Sequence, residues 1–162
     1  MLRSPLPFAP AALLTVLLAA CSNEKVPEDA LWYDVTVTGV GPDECHPGNT
    51  EGYQQSFRYA LAFSASSATI YIDDVVFASG TLNGCNLTYT TVVYGEDTEN
   101  GHIQWQLEGQ AQVDAGDDSC VEGDGDWAGT EVFTVVEADS DDLEPGCTYP
   151  METTGTYLAD PG

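Results

Sequence analysis

Basic residues are almost missing from this chain. Three Lys and Arg stand against 27 Asp and Glu, a formal net charge of −24 in 162 residues. A surface of that sign repels phosphate and so disfavours nucleic acid and anionic headgroups as direct partners. It attracts divalent cations and basic proteins, or simply keeps a small domain soluble. Catalytic signatures are missing as well: there is no Gly-x-Ser-x-Gly elbow, no His-Glu-x-x-His and no phosphate-binding glycine loop. Of the two histidines, His46 adjoins Cys45 and His102 falls among polar residues. These absences point to a protein that is not an enzyme. Without a Cys-x-x-Cys pair, a zinc site finds no support. No helical period runs through residues 30–162, and no apolar run there nears the ~20 residues that span a bilayer.

The amino-terminal segment carries a recognisable pattern. Arg3 precedes an apolar run from residue 11 to 18, interrupted only by Thr15, and Leu18-Ala19-Ala20-Cys21 closes it. Positive charge, short apolar core, small residues and cysteine follow one another as in a secretory signal. This resembles the lipobox of bacterial lipoproteins. The resemblance implies that residues 1–20 are a signal peptide and that Cys21 receives a diacylglycerol and an acylated amine, palmitate being a typical acyl chain. Two or more chains anchor stably where one is marginal. Ser22 follows the cysteine in place of the aspartate that marks inner-membrane retention, so the family rule points to the outer membrane. Residues 21–29 then form a polar, lipidated tether, and residues 30–162 the folded domain. Loss of the leader leaves Lys25 and Arg58 against all 27 acids.

That domain reads as strands. Residues 53–64 alternate, with Tyr53, Phe57, Tyr59, Leu61 and Phe63 on one side and Gln54, Ser56, Arg58 and Ser64 on the other. Residues 102–113 set Ile103, Trp105, Leu107, Ala111 and Val113 against a polar face, and residues 31–40 repeat the pattern through Leu31, Tyr33, Val35 and Val37. Period two sustained over such lengths means strands with one buried face. Asn83-Gly84 predicts a two-residue hairpin that pairs Leu82 with Cys85, Gly80 with Leu87 and Ala78 with Tyr89. A second hairpin is expected at Asp73-Asp74. It gives Ile70, Ile72, Val75 and Phe77 one apolar face, in conflict with the face through Val76 and Ala78, and a bulge near Ser79-Gly80 would reconcile them. Residues 127–138 form a further strand. Residues 147–158, interrupted by Pro150, form another that suits a seam. The sum is an all-β domain, an antiparallel meander of about eight strands. An up-and-down barrel, lipocalin-like in architecture alone, leaves no open edges; a two-sheet β-sandwich is the alternative.

With Cys21 assigned to lipid, Cys45, Cys85, Cys120 and Cys147 remain, which outside the cytoplasm implies two disulfides in one of three pairings. The meander separates them: it carries Cys45 and Cys147 to one end and Cys85 and Cys120 to the other, predicting Cys45–Cys147 and Cys85–Cys120. In the loop around Cys120, Asp114, Asp117, Asp118, Glu122, Asp124 and Asp126 accumulate on glycine-bearing backbone. Oxygen ligands at such spacing suit Ca2+, although the order is not that of an EF-hand, and a solvated loop accounts for them equally. No other cofactor is implied. The aromatics Trp105, Tyr59, Phe57, Phe63 and Tyr89 serve the core or, since an eight-stranded barrel can enclose one small ligand, a cavity wall. Two functions stay open for this monomer: a display domain for a basic protein partner, or a binder of a small apolar ligand or calcium.

Overall fold

The structure, a computed structural model, describes residues 25–45, 53–98, 101–113, 127–139 and 143–159. They form nine strands: β1 (Leu31–Gly39), β2 (Gln54–Ser64), β3 (Ser67–Ile72), β4 (Val75–Asn83), β5 (Asn86–Thr91), β6 (Tyr94–Thr98), β7 (Gly101–Val113), β8 (Trp127–Asp139) and β9 (Thr148–Leu158). The order β5-β4-β3-β2-β1-β9-β8-β7 closes because β5 also pairs with β7. Eight antiparallel strands therefore make a barrel, as the alternation predicts, and closure leaves none of their ladders open. No sandwich forms. β1 and β9 meet where the barrel closes, and Pro150 of β9 sits opposite Val132 while its carbonyl accepts Val40 N–H at 2.9 Å.

The remaining strand, β6, continues β5. Thr90 of β5 faces Glu108 and Tyr94 of β6 faces Trp105, so both run along the same edge of β7, broken at residues 92–93. Side chains replace the missing ladder at the break. Thr91 Oγ1 accepts Leu107 N–H at 3.0 Å, and Gln106 Nε2 donates to Thr91 O at 3.0 Å. The β4–β5 ladder ends at Ala78↔Thr91, and beyond it Tyr94 Oη donates to the carbonyls of Val76 (3.3 Å) and Phe77 (3.1 Å). One phenol thus satisfies carbonyls that a neighbouring strand would otherwise take.

Two turns were open to sequence reading, and one is displaced. Asp73 and Asp74 have φ of 51° and 61°, the two positive values that a type I′ hairpin requires. The next loop is Gly84-Cys85, not Asn83-Gly84: Asn83 pairs with Asn86, Leu82 with Leu87, Gly80 with Tyr89 and Ala78 with Thr91. Positive φ at Gly84 alone is the type II′ pattern, with glycine first. Because the displacement is two residues in register, every side chain keeps its face, so facing alone could not distinguish the two.

The bulge lies at Phe77, not at Ser79-Gly80. Ile70 faces Ala78 and Tyr71 faces Val76, leaving Phe77 unopposed. Phe77 and Ala78 both join the interior, Val76 packs on the outside, and Val75 is exposed. The single apolar face expected of Ile70, Ile72, Val75 and Phe77 is thereby split.

The chain before β1 is also not wholly a free tether. Val26 and Ala30 are buried on the outer wall against Ala60 and Tyr71, with Trp32, Ala62 and Val76 around them. A turn with Ala30 N–H bonded to Pro27 O (3.1 Å) folds this segment back. At the far rim the Cys45–Cys147 disulfide forms, Cα atoms 5.0 Å apart, beside Val135. It links the loop after β1 to the start of β9, where Glu44 N–H also bonds Thr148 O at 3.1 Å. Cys85 is likewise disulfide-bonded; Cys120 lies outside the described residues.

A half-filled barrel with a buried carboxyl

The barrel is packed at one end and hollow at the other. The packed half is the end where β1 begins. There Trp127 is fully buried, its ring edge-on to Tyr33 (centroids 5.5 Å apart) and Tyr59 (5.4 Å). Each such edge contact adds about 0.5–1.5 kcal/mol beyond area burial. The indole Nε1 donates to buried Thr153 Oγ1 at 3.1 Å, so the largest core residue leaves no polar atom unpaired.

Above this plug lies a cavity of about 530 Å3, within the roughly 300–1,000 Å3 range of small-molecule sites. Phe57 and Tyr59 come from β2, Phe77 from β4, Trp105 and Leu107 from β7, Phe133 from β8, and Tyr149 and Met151 from β9. Trp105 stacks at a tilt between Tyr94 (4.8 Å) and Phe133 (5.5 Å), which fixes an aromatic wall. Asp43, Cys45, Tyr53 and Glu96 also line the cavity at the rim carrying the disulfide. Two irregularities border the hollow: the bulge that turns Phe77 inward and the strand break before Tyr94.

One charged-type side chain sits at the inner end. Glu131 projects inward from the middle of β8 and is 1% exposed. Tyr89 of β5 donates its hydroxyl to Glu131 Oε1, and Tyr59 Oη stands 3.5 Å from the same oxygen. Both phenols address Oε1, neither engages Oε2, and Glu131 lines the cavity. Burial raises the carboxyl pKa above its usual value, and the two phenols oppose that by stabilising the charged form. Tyr59 and Tyr89 are pushed well above the usual tyrosine range, first by burial and then by the Glu131 charge. Tyr53 moves the same way for the same two causes. Both buried phenols are therefore held protonated as donors, and Glu131 Oε1 is their shared acceptor. Among the described residues, no Lys, Arg or His lines the cavity.

The sequence-predicted residues distribute unevenly around this site. Trp105, Tyr59 and Phe57 line it, whereas Phe63 and Tyr89 pack in the core. The acidic set Asp114, Asp117, Asp118, Glu122, Asp124 and Asp126 lies outside the described residues, and no three His, Cys, Asp or Glu side chains converge among those described. His102 is on the surface, 2.8 Å from Asp97. Arg58 pairs with Asp34 on the outer wall at 3.3 Å, an exposed contact worth under about 1 kcal/mol.

Glu131 escaped sequence reading. Its signal is the inward series Trp127, Gly129, Glu131, Phe133, Val135, in which a carboxylate occupies an apolar position. The outer face of the same strand carries Val132 and Val136, both exposed, which blurs the alternation. Comparison with known proteins gives no matching family model, no matching curated protein and no matching solved structure.

Proposed function

We propose that this chain is a non-catalytic, lipid-anchored extracytoplasmic lipoprotein whose barrel holds a small, largely apolar ligand. The cavity carries this reading: about 530 Å3 walled by aromatic and aliphatic side chains, with one hydrogen-bonded carboxyl at its inner end. A display domain needs no such space, since side chains fill an eight-stranded barrel when nothing is to be enclosed. The lipobox-like Leu18-Ala19-Ala20-Cys21 supports an anchor at Cys21, with the outer membrane as its place. Because Val26 is docked on the barrel wall, five residue steps at about 3.6 Å hold the domain within roughly 18 Å of the lipidated cysteine.

A polarity-sensitive dye, N-phenylnaphthylamine, tests the cavity. Its fluorescence should rise on binding and fall when Phe133→Asp places a charge in the wall; absence of any binding would overturn the ligand reading. Radiolabelled palmitate should label the wild type and not Cys21→Ser; an unlabelled wild type would overturn the anchor.

A further inference from the structure

Resting on that reading, we infer that the cavity selects an apolar amine, a small cation whose ammonium pairs with Glu131 while its body packs on the aromatic wall. Three independent features converge on a cation. The inner end presents a carboxylate oxygen, Oε2, that neither phenol engages. The walls are aromatic, with Phe57, Phe77, Trp105 and Phe133 among the lining residues, and aromatic rings attract cationic groups. The approach is acidic: Asp43 and Glu96 line the same space, and the chain carries a net charge of −24. Cavities lined by one sign of charge concentrate the opposite one.

The competing ligand classes fit worse. An apolar carboxylate would bring a second negative charge to Glu131, and among the described residues no basic one lines the cavity to receive it. A neutral alcohol could hydrogen-bond Oε2 but would bring no charge to offset the cost of burying an ionised carboxyl. An ammonium supplies both donor and charge, and hydrogen bonds to ionised groups are about twice as strong as neutral ones. The groups facing Glu131 are Tyr59 from β2 and Tyr89 from β5; Tyr53 feels its charge, and Tyr149, Asp43 and Glu96 stand elsewhere in the lining. Among these described groups, none is a cation.

Tryptamine, tryptophol and indoleacetate share one apolar body and end in an amine, a hydroxyl and a carboxylate. Calorimetry on the intact protein at neutral pH should rank them in that order, with tryptamine at least roughly tenfold tighter than tryptophol. Glu131→Gln should bring tryptamine to the level of tryptophol. In the wild type the amine preference should shrink as acid protonates Glu131, which tests the inference even if the variant does not fold. Equal binding of the three, or preference for the carboxylate, would overturn the amine while binding of N-phenylnaphthylamine kept the cavity reading. Failure of dye and indoles alike would overturn both.

Discussion

Tyr89 reaches Glu131 by passing over Gly109. The three residues form one row across β5, β7 and β8, with Tyr89 paired to Gly109 and Gly109 to Glu131. The phenol ring lies where a side chain on residue 109 would be, and its hydroxyl meets the carboxylate one strand farther on. A glycine between a tyrosine and a glutamate is thus the space that lets two side chains on non-adjacent strands share a hydrogen bond.

Gly109→Ala should therefore do more than fill a gap. A Cβ there falls within the Tyr89 ring, which is buried and has little room to move. Overpacking of this kind costs about 1–3 kcal/mol. Thermal unfolding should register that loss, and the variant's tyrosine absorbance should titrate at lower pH than the wild type's as Tyr89 is displaced from the site.

Glu131→Gln should stabilise the protein at neutral pH. The native pKa is raised above the unfolded one, so the native state holds more protons between the two values. Stability then falls as pH climbs through that window and is level above it. Gln cannot ionise and escapes the loss. The variant should melt a few degrees higher than the wild type at neutral pH, and the difference should close as pH drops to the ordinary carboxylate range. A constant difference across pH would contradict this assignment.

Thr91→Val is nearly isosteric but removes the acceptor for Leu107 N–H at the strand break. Leaving that buried donor unpaired costs about 1–3 kcal/mol, whereas Thr91→Ser should retain most of the stability. Amide exchange at Leu107 should quicken in the valine variant and stay slow in the serine one.

Replacing both Cys45 and Cys147 by serine opens a cross-link between residues separated by 102 positions. Loss of a native disulfide from a small domain costs about 2–5 kcal/mol. Since the bridge sits at the seam of β1 and β9 on the cavity rim, the denaturation midpoint should fall and dye binding should weaken together.

Eight of the nine strands could be read from residue order, because burial of one face imposes a period of two on a strand that has a wet side; β6 was not among them. Tyr33, Val35 and Val37 on β1, and Ile103, Leu107, Ala111 and Val113 on β7, lie inside where alternation puts them. Closure into a barrel and the Cys45–Cys147 bridge followed from strand count, since the up-and-down order decides which loops share an end. What tertiary structure alone decided was finer than a face. Whether the β4–β5 loop was Asn83-Gly84 or Gly84-Cys85 was invisible, because both keep the same residues inside. So were the bulge at Phe77 and the break before Tyr94, the two irregularities that border the cavity. Glu131 belongs to the same class. Its inward position is periodic, but the reason a carboxyl can stay there is a pair of phenols, Tyr59 and Tyr89, brought from strands 72 and 42 residues away.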